Sequence, residues 1–181
     1  PKTGNAELAS AVKFLAAFKG LESVSFVSAT VTDPGLAPLA TLPTVVALTV
    51  GPGKLTGTGV AAFADGGKLV SLTVTGTSLT RDGFQAVGKV KSLTTLVLRN
   101  SKTTDADLKA VGELTNLRTL DLGQTGVSDA GLPALAGLTN LHSLTLDRTA
   151  VTGTGLKALA KLGELTMLTL NAAPVTDAGL A

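Results

Sequence analysis

The sequence predicts an α/β solenoid, a right-handed stack of strand-turn-helix units with a parallel sheet along one side and short helices along the other. Three observations carry this expectation. A 24-residue pattern recurs from Phe18, Leu42, Gly66, Val90, Leu114, Leu138 and Leu162 without insertion or deletion, and its seventh copy stops at Ala181. Self-similarity at such a fixed period marks a repeat architecture. The seventh and ninth positions of each copy are apolar, as at Leu120 and Leu122, and alternate with other residues as in a strand with one buried face. Apolar residues three apart then follow, Leu132 and Leu135 in Gly-Leu-Pro-Ala-Leu-Ala, which is the spacing of a helical face.

Composition narrows the class further. With a mean hydropathy of +0.40 and a formal net charge of +2, the 181 residues carry enough apolar surface to offset the entropy of ordering. The absence of cysteine excludes a disulfide scaffold, a cysteine zinc site and a thiol enzyme. No apolar run reaches the roughly 18 residues of a bilayer span, and no charged-then-apolar leader opens the chain, so a soluble segment without membrane insertion is expected. The sequence pI is 9.1, but two excess charges are too few to predict a nucleic-acid partner. The first residue is Pro1, which suggests a piece of a longer chain.

The elements follow in order. Residues 6–19 place Leu8, Val12, Leu15 and Phe18 on one helical face, with Lys13 and Lys19 off it. Val12 and Leu15 align with Leu36 and Leu39 of the next copy, so residues 1–17 are expected to be a partial N-terminal repeat or helical cap, and residues 18–181 the seven-repeat domain. One copy cannot bury its apolar row alone, so the strands must stack in parallel about 4.8 Å apart. A right-handed crossover is expected between them. The twelfth position is small throughout (Ala29, Gly53, Thr77, Ser101, Thr125, Thr149, Ala173), as suits the place where the chain leaves the strand.

The fifteenth position is always a hydroxyl: Thr32, Thr56, Thr80, Thr104, Ser128, Thr152 and Thr176. Such a side chain accepts a backbone N–H at the start of a helix, and Asp33, Asp105, Asp129 and Asp177 follow it where negative charge favours the helix N-terminus. Capping is expected of them rather than calcium binding, which needs about six converging oxygens. At the far end the pattern breaks off at Gly179-Leu180-Ala181 without the atypical polar repeat that usually closes a solenoid. Either a continuing chain or another molecule is expected to cover it.

The run Leu117, Leu120, Leu122, Thr125, Val127, L-x-x-L-x-L-x-x-T-x-V, resembles a leucine-rich repeat. The segment after it, S-D-A-G-L-x-x-L-A, resembles a bacterial 24-residue subclass whose convex side is helical. The resemblance extends over residues 18–181 and implies a horseshoe-shaped solenoid with its parallel sheet on the concave face. Because such repeats are generally recognition modules, it also implies protein binding rather than catalysis. The chain departs from the family pattern where Thr, Ser or a smaller residue replaces the usual Asn, which leaves a hydroxyl ladder at best. Gly66 stands where other copies start with an apolar residue, Asp107 stands where the fifth copy has Gly131, and Gly51-Pro52-Gly53-Lys54 stiffens one turn.

Chemistry is sparse. The segment from Gly51 to Gly59 is rich in glycine, but a phosphate-binding loop needs G-x-x-x-x-G-K followed by Ser or Thr, and here Leu48 opens that window and Leu55 closes it. His142 is the sole histidine, and Ser143 is its strand neighbour, so their side chains point apart and form no nucleophile–base pair. No catalytic residue, cofactor or metal ligand is assigned. What remains is the concave face, built from the sixth, eighth, tenth and eleventh positions. Its first three copies are small or apolar (Ser23, Ser25, Val27, Ala47, Thr49), whereas the later ones carry Arg99, Asn100, Asp121, Gln124, Asp147, Arg148 and Asn171. Arg118 and His142 flank these in the fifth-position row.

Two readings of this patch stay open. It is a solvated surface, with ion pairs such as Arg99–Asp121 contributing about 0–1 kcal/mol, or it is a site for a protein or peptide, in which arginines supply forked donors. A non-catalytic protein- or peptide-binding scaffold is the expectation. The alternative is a structural solenoid that stacks head to tail through its ends, with homo-association at the open C-terminal edge. A Ser/Thr-rich surface without cysteine suits a cytoplasmic or an extracytoplasmic setting equally.

Overall fold

The computed structural model describes residues 14–27, 31–66 and 68–180. In every copy the alternating segment is a short strand: β1 (Ser23–Phe26), β2 (Ala47–Val50), β3 (Ser71–Val74), β4 (Thr95–Val97), β5 (Thr119–Asp121), β6 (Ser143–Thr145) and β7 (Met167–Thr169). They form one sheet in sequential order, and every pairing is parallel. The register follows the repeat, so Leu72 faces Leu96 and Leu96 faces Leu120. The apolar columns therefore become continuous rows. Leu72, Leu96, Leu120 and Leu144 are all 0% exposed, and Leu98, Leu122 and Leu146 lie buried beside them.

The other side of each unit is helical but short. It holds α1 (Asp33–Leu36), α2 (Arg81–Lys89), α3 (Leu108–Val111) and α4 (Asp177–Leu180), with tight 3₁₀ turns at Ala37–Thr41, Thr58–Phe63, Leu132–Leu135 and Leu156–Leu159. Two of these turns carry a proline as their second residue, Pro38 and Pro133, where the missing N–H has no helical role. Of the expected helix over 6–19, the part before residue 14 lies outside the described residues. Phe18, placed by its spacing on an apolar face, is instead 62% exposed, whereas Leu114 and Leu138 in the same column are fully buried. Those leucines are sandwiched between repeats on both sides, and no described repeat precedes Phe18.

The hydroxyl column at position twelve does not form a ladder between repeats. Ser101, Thr125 and Thr149 each donate to the carbonyl three residues back in their own copy, Leu98, Leu122 and Leu146, at 2.6–2.7 Å. These hydroxyls thus satisfy the backbone where the chain leaves the strand. The repeats are tied instead through the aspartates after position fifteen.

Asp33 and Asp177 stand in the first turn of their own helices as expected, but Asp33, Asp105 and Asp129 spend their hydrogen bonds on the next repeat. Asp33 accepts the N–H and the hydroxyl of Thr56, both at 2.8 Å, and the N–H of Gly59. Asp105 accepts from the Ser128 N–H and hydroxyl at 2.7 and 2.6 Å. Asp129 accepts from the Thr152 N–H and hydroxyl and from the N–H groups of Gly153 and Gly155. The glycine three residues beyond each hydroxyl makes room for this approach, since a Cβ on Gly155 would lie 2.7 Å from the Asp129 carbonyl oxygen. Where the preceding repeat supplies Gly57 or Gly153 in place of the aspartate, Thr80 and Thr176 bond through their own N–H to the Thr56 and Thr152 carbonyls. Each then caps its own helix by accepting from Gly83 or Gly179.

The carboxylate clamps carry a pH signature. Burial pushes the Asp129 pKa up, but the Thr152 N–H and hydroxyl and the Gly155 and Gly153 N–H groups outweigh it and hold the value at about 2. A pKa lowered in the folded state stabilises the fold above the unfolded value of 3.8, and that contribution is lost as pH falls toward about 2. Urea titrations of wild type between these limits should show falling stability, and Asp129→Asn should flatten the slope while costing about 1–2 kcal/mol at neutral pH. An unchanged acid slope in the variant would remove Asp129 as its source.

Candidate functional site

The alternation of the strands leaves the sixth and eighth positions on the open face of the sheet, and the residues just after each strand continue that face. In the fourth to seventh repeats this surface carries the predicted polar residues. Arg99 follows β4, Asp121 ends β5 and Asp147 follows β6, and the fold brings all three together. The Arg99 Nε lies 2.9 Å from Asp121 Oδ2, and its terminal nitrogen lies 3.8 Å from Asp147 Oδ2. The side chain spans two repeats because the position between is Gly123. A Cβ there would sit 2.7 Å from the guanidinium carbon of Arg99. Gly123 is a part of this site that side-chain chemistry alone does not reveal, though a glycine in a column of long polar residues is the signal for it.

The backbone orients both carboxylates. Asp121 accepts the Gly123 N–H through Oδ1 at 2.8 Å, and Asp147 accepts the Asn171 N–H through Oδ1 at 2.8 Å. Burial raises the Asp147 pKa, but the Asn171 N–H and the nearby charge of Arg99 are among the effects that outweigh it and hold the carboxyl below its ordinary value. The two aspartates leave about one-fifth of their side-chain surface in water, and Arg99 about one-third. Arg99 is therefore a tied cation within a bridge of net charge minus one, not a free forked donor.

Asn100, Gln124 and Arg148 occupy a different place. Each sits in the left-handed region, at φ 56°, 57° and 53°, in the turn that leaves the strand. Their N–H groups donate across to the next repeat, at the carbonyls of Gly123, Asp147 and Asn171. Because the turn itself requires this conformation, all three side chains project in one column beside the Arg99 bridge. Left-handed geometry costs a non-glycine residue about 1–2 kcal/mol, which this cross-repeat bonding offsets.

Arg118 and His142 line the near edge of the sheet. His142 Nδ1 lies 2.7 Å from the Asn140 carbonyl, and Nε2 lies 3.9 Å from Glu164. Neither nitrogen faces Ser143 or Asp147, so the fold assembles no nucleophile, base and orienting acid. Among the described residues no three His, Cys, Asp or Glu side chains converge in a metal-binding group, and no helix is long and apolar enough to cross a membrane. The arrangement offers a polar sheet surface with one rigid ion-pair bridge, flanked by arginine side chains at its two edges.

The bridge depends on an absent side chain. Gly123→Ala should push the Arg99 guanidinium away from Asp147 with little loss of stability, since a flexible tip moves more cheaply than backbone. The Asp147 pKa, followed by carboxyl NMR, should then rise toward the ordinary aspartate value. An unmoved pKa would show that Arg99 contributes nothing to it.

Comparison with known proteins places this geometry. A family model described as Leucine Rich repeat matches residues 113–136 and 137–160, two consecutive copies of the 24-residue unit. The crystal structure of an internalin from Listeria monocytogenes is similar over 92% of the chain, with 27% sequence identity and a TM-score of 0.71. The match takes in 47% of that protein, so the chain spans about half of its length. None of the curated proteins compared matches the chain. The fifth and sixth copies thus match the leucine-rich repeat model, and the seven parallel strands in one open sheet with short helices behind them have the fold of an internalin leucine-rich repeat solenoid.

Proposed function

We propose that this chain is a non-catalytic scaffold that binds a protein or peptide on the open face of its sheet. The observation that carries the reading is the clustering of Arg99, Asp121, Asp147 and the Asn100–Gln124–Arg148 column on one side of a sheet whose backbone is already hydrogen-bonded across six junctions. A surface so ordered loses little further entropy when a partner docks. The fold supports the non-enzymatic part of the reading, because leucine-rich repeat and internalin-like solenoids are typically binding scaffolds. The likeness to a Listeria protein also supports a bacterial source. Arg118, Arg148 and His142 are the side chains we assign to direct contact, with Arg99, Asp121 and Asp147 shaping the surface and Asn100 and Gln124 contributing amides.

The test is a displayed peptide library selected on the intact chain. Arg99→Ala with Arg148→Ala should weaken the selected binders by about tenfold or more, while Lys157→Ala on the opposite side leaves them unchanged. Binders indifferent to the double variant would overturn the assignment of this face.

A second reading rests on a separate observation. Leu168 is 38% exposed although its counterparts Leu144 and Leu120 are 0% exposed, so an apolar row lies open beside β7. A second copy of the chain stacking on that row is the alternative function, a head-to-tail assembly. Light scattering over a range of concentrations should then show mass growing from 18.0 kDa, with Leu168→Glu holding it there. A mass that stays constant for wild type would end this reading.

A further inference from the structure

Of the six junctions between repeats, five carry hydrogen bonds beyond the paired strands and through the turn that follows. At the first two, N–H groups of the later repeat donate backward, Gly51 to the Phe26 carbonyl and Thr75 to the Val50 carbonyl. From the fourth repeat onward the direction reverses. Leu98 and Asn100 donate forward to Asp121 and Gly123, and the same pair of bonds recurs at the next two junctions. Gly126 and Ala150 add bonds to the Thr103 and Val127 carbonyls. The third repeat thus looks back and the fourth looks forward. Between residues 74–83 and 98–107 no hydrogen bond joins the two outside their paired strands, among the described residues.

The aspartate clamps fail at the same place. The third repeat has Arg81 where Asp33, Asp105 and Asp129 stand in theirs, and the fourth has Asp107 where Gly59, Gly131 and Gly155 stand. Asp107 folds back onto its own repeat and accepts the N–H and hydroxyl of Thr104 at 2.9 and 2.8 Å. The hydroxyl that elsewhere reaches across is thereby satisfied locally. On the helical side a groove of about 270 Å³ opens here, lined by Arg81, Phe84, Gln85, Asp107 and Lys109. The turn of the third repeat also buries the Thr77 hydroxyl without a partner, where Ser101, Thr125 and Thr149 each donate to a carbonyl. What remains at this junction is the β3–β4 pairing, the bonds just before it, the shared apolar row, and the close approach of Gly88 in α2 to the Ala110 carbonyl.

We infer that the junction between the third and fourth repeats is a built-in breakpoint that divides the solenoid into two cooperative units. In a linear stack, stability is a sum of repeat and nearest-neighbour terms, so a weak interface uncouples what lies on either side. The first three repeats open as one unit, and the repeats from Val90 onward form the other, which holds all eight residues assigned to the sheet surface. This division does not rest on the binding role of that surface.

Native-state hydrogen exchange in mild urea tests it. In wild type, β2 and β3 amides exchange together and faster than those of β4 to β6, with a step at residues 90–95. Arg81→Asp combined with Asp107→Gly rebuilds the clamp found between Asp105, Ser128 and Gly131. It should slow β3 exchange by about tenfold and shrink the step. A wild-type profile that declines smoothly toward both ends, with no step, would overturn the breakpoint whether or not the variant folds. A step that persists unchanged in a folded variant would overturn its assignment to the missing clamp.

Discussion

Neighbouring parallel strands lie about 4.8 Å apart, and every other feature of this molecule accommodates that spacing. Packed helices prefer separations of about 8–10 Å, so a sheet with a full helix behind each strand cannot keep both distances without fanning out. This chain meets the conflict partly by thinning its helical side. Most units there are single turns, and only α2 reaches nine residues. Where the backbones still approach closely a glycine stands, as at Gly83, whose Cβ would overlap the Thr56 carbonyl oxygen. Repeats this close bring a carboxylate within reach of the N–H groups of the next turn, and the aspartates exploit it.

The same chemistry serves two ends of the repeat. Behind the sheet, Asp33, Asp105 and Asp129 accept N–H groups from the following copy and fasten the stack. On its open face, Asp121 and Asp147 accept the N–H groups of Gly123 and Asn171, and by doing so stand ready for Arg99. In each case a short side chain with two oxygens divides itself between backbone and partner. The surface bridge is thus supported from beneath, which separates it from a pair of long exposed side chains held only by mutual attraction. Lys91 and Glu113, 3.5 Å apart, are by contrast both more than half exposed, and there it is the lysine that also bonds backbone, donating to the Glu113 carbonyl.

Strict periodicity conceals a change of pattern along the stack. The first three strands have four residues and the last four have three, and from the fourth repeat onward the bonds after the strand run forward to the next copy. Pro52 cannot take the left-handed conformation of Asn100, and Gly76, which does, lies against the ring of Pro52. The polar surface begins where the cross-repeat bonding reverses, in the fourth repeat, and from there the left-handed position presents the Asn100–Gln124–Arg148 column.

Much of this was legible in the residues themselves. A 24-residue period with apolar columns at fixed positions dictates strand order, register and core, because identical neighbours bury their apolar rows only by stacking in phase. The grouping of Arg99, Asp121 and Asp147 on one face follows from strand alternation alone. The direction in which a side chain spends its hydrogen bonds was not legible. Asp129 reads as a cap for its own helix and proves to be a clamp for the next, and Asp107 reads as an irregularity and proves to replace the clamp that Arg81 cannot make. Gly123 reads as a gap and proves to be the bed of the Arg99 side chain. Periodicity specifies which positions meet, since it is a property of one repeat multiplied. Which partner wins each polar group depends on distances of a few tenths of an ångström between two repeats, and only the packed structure decides those.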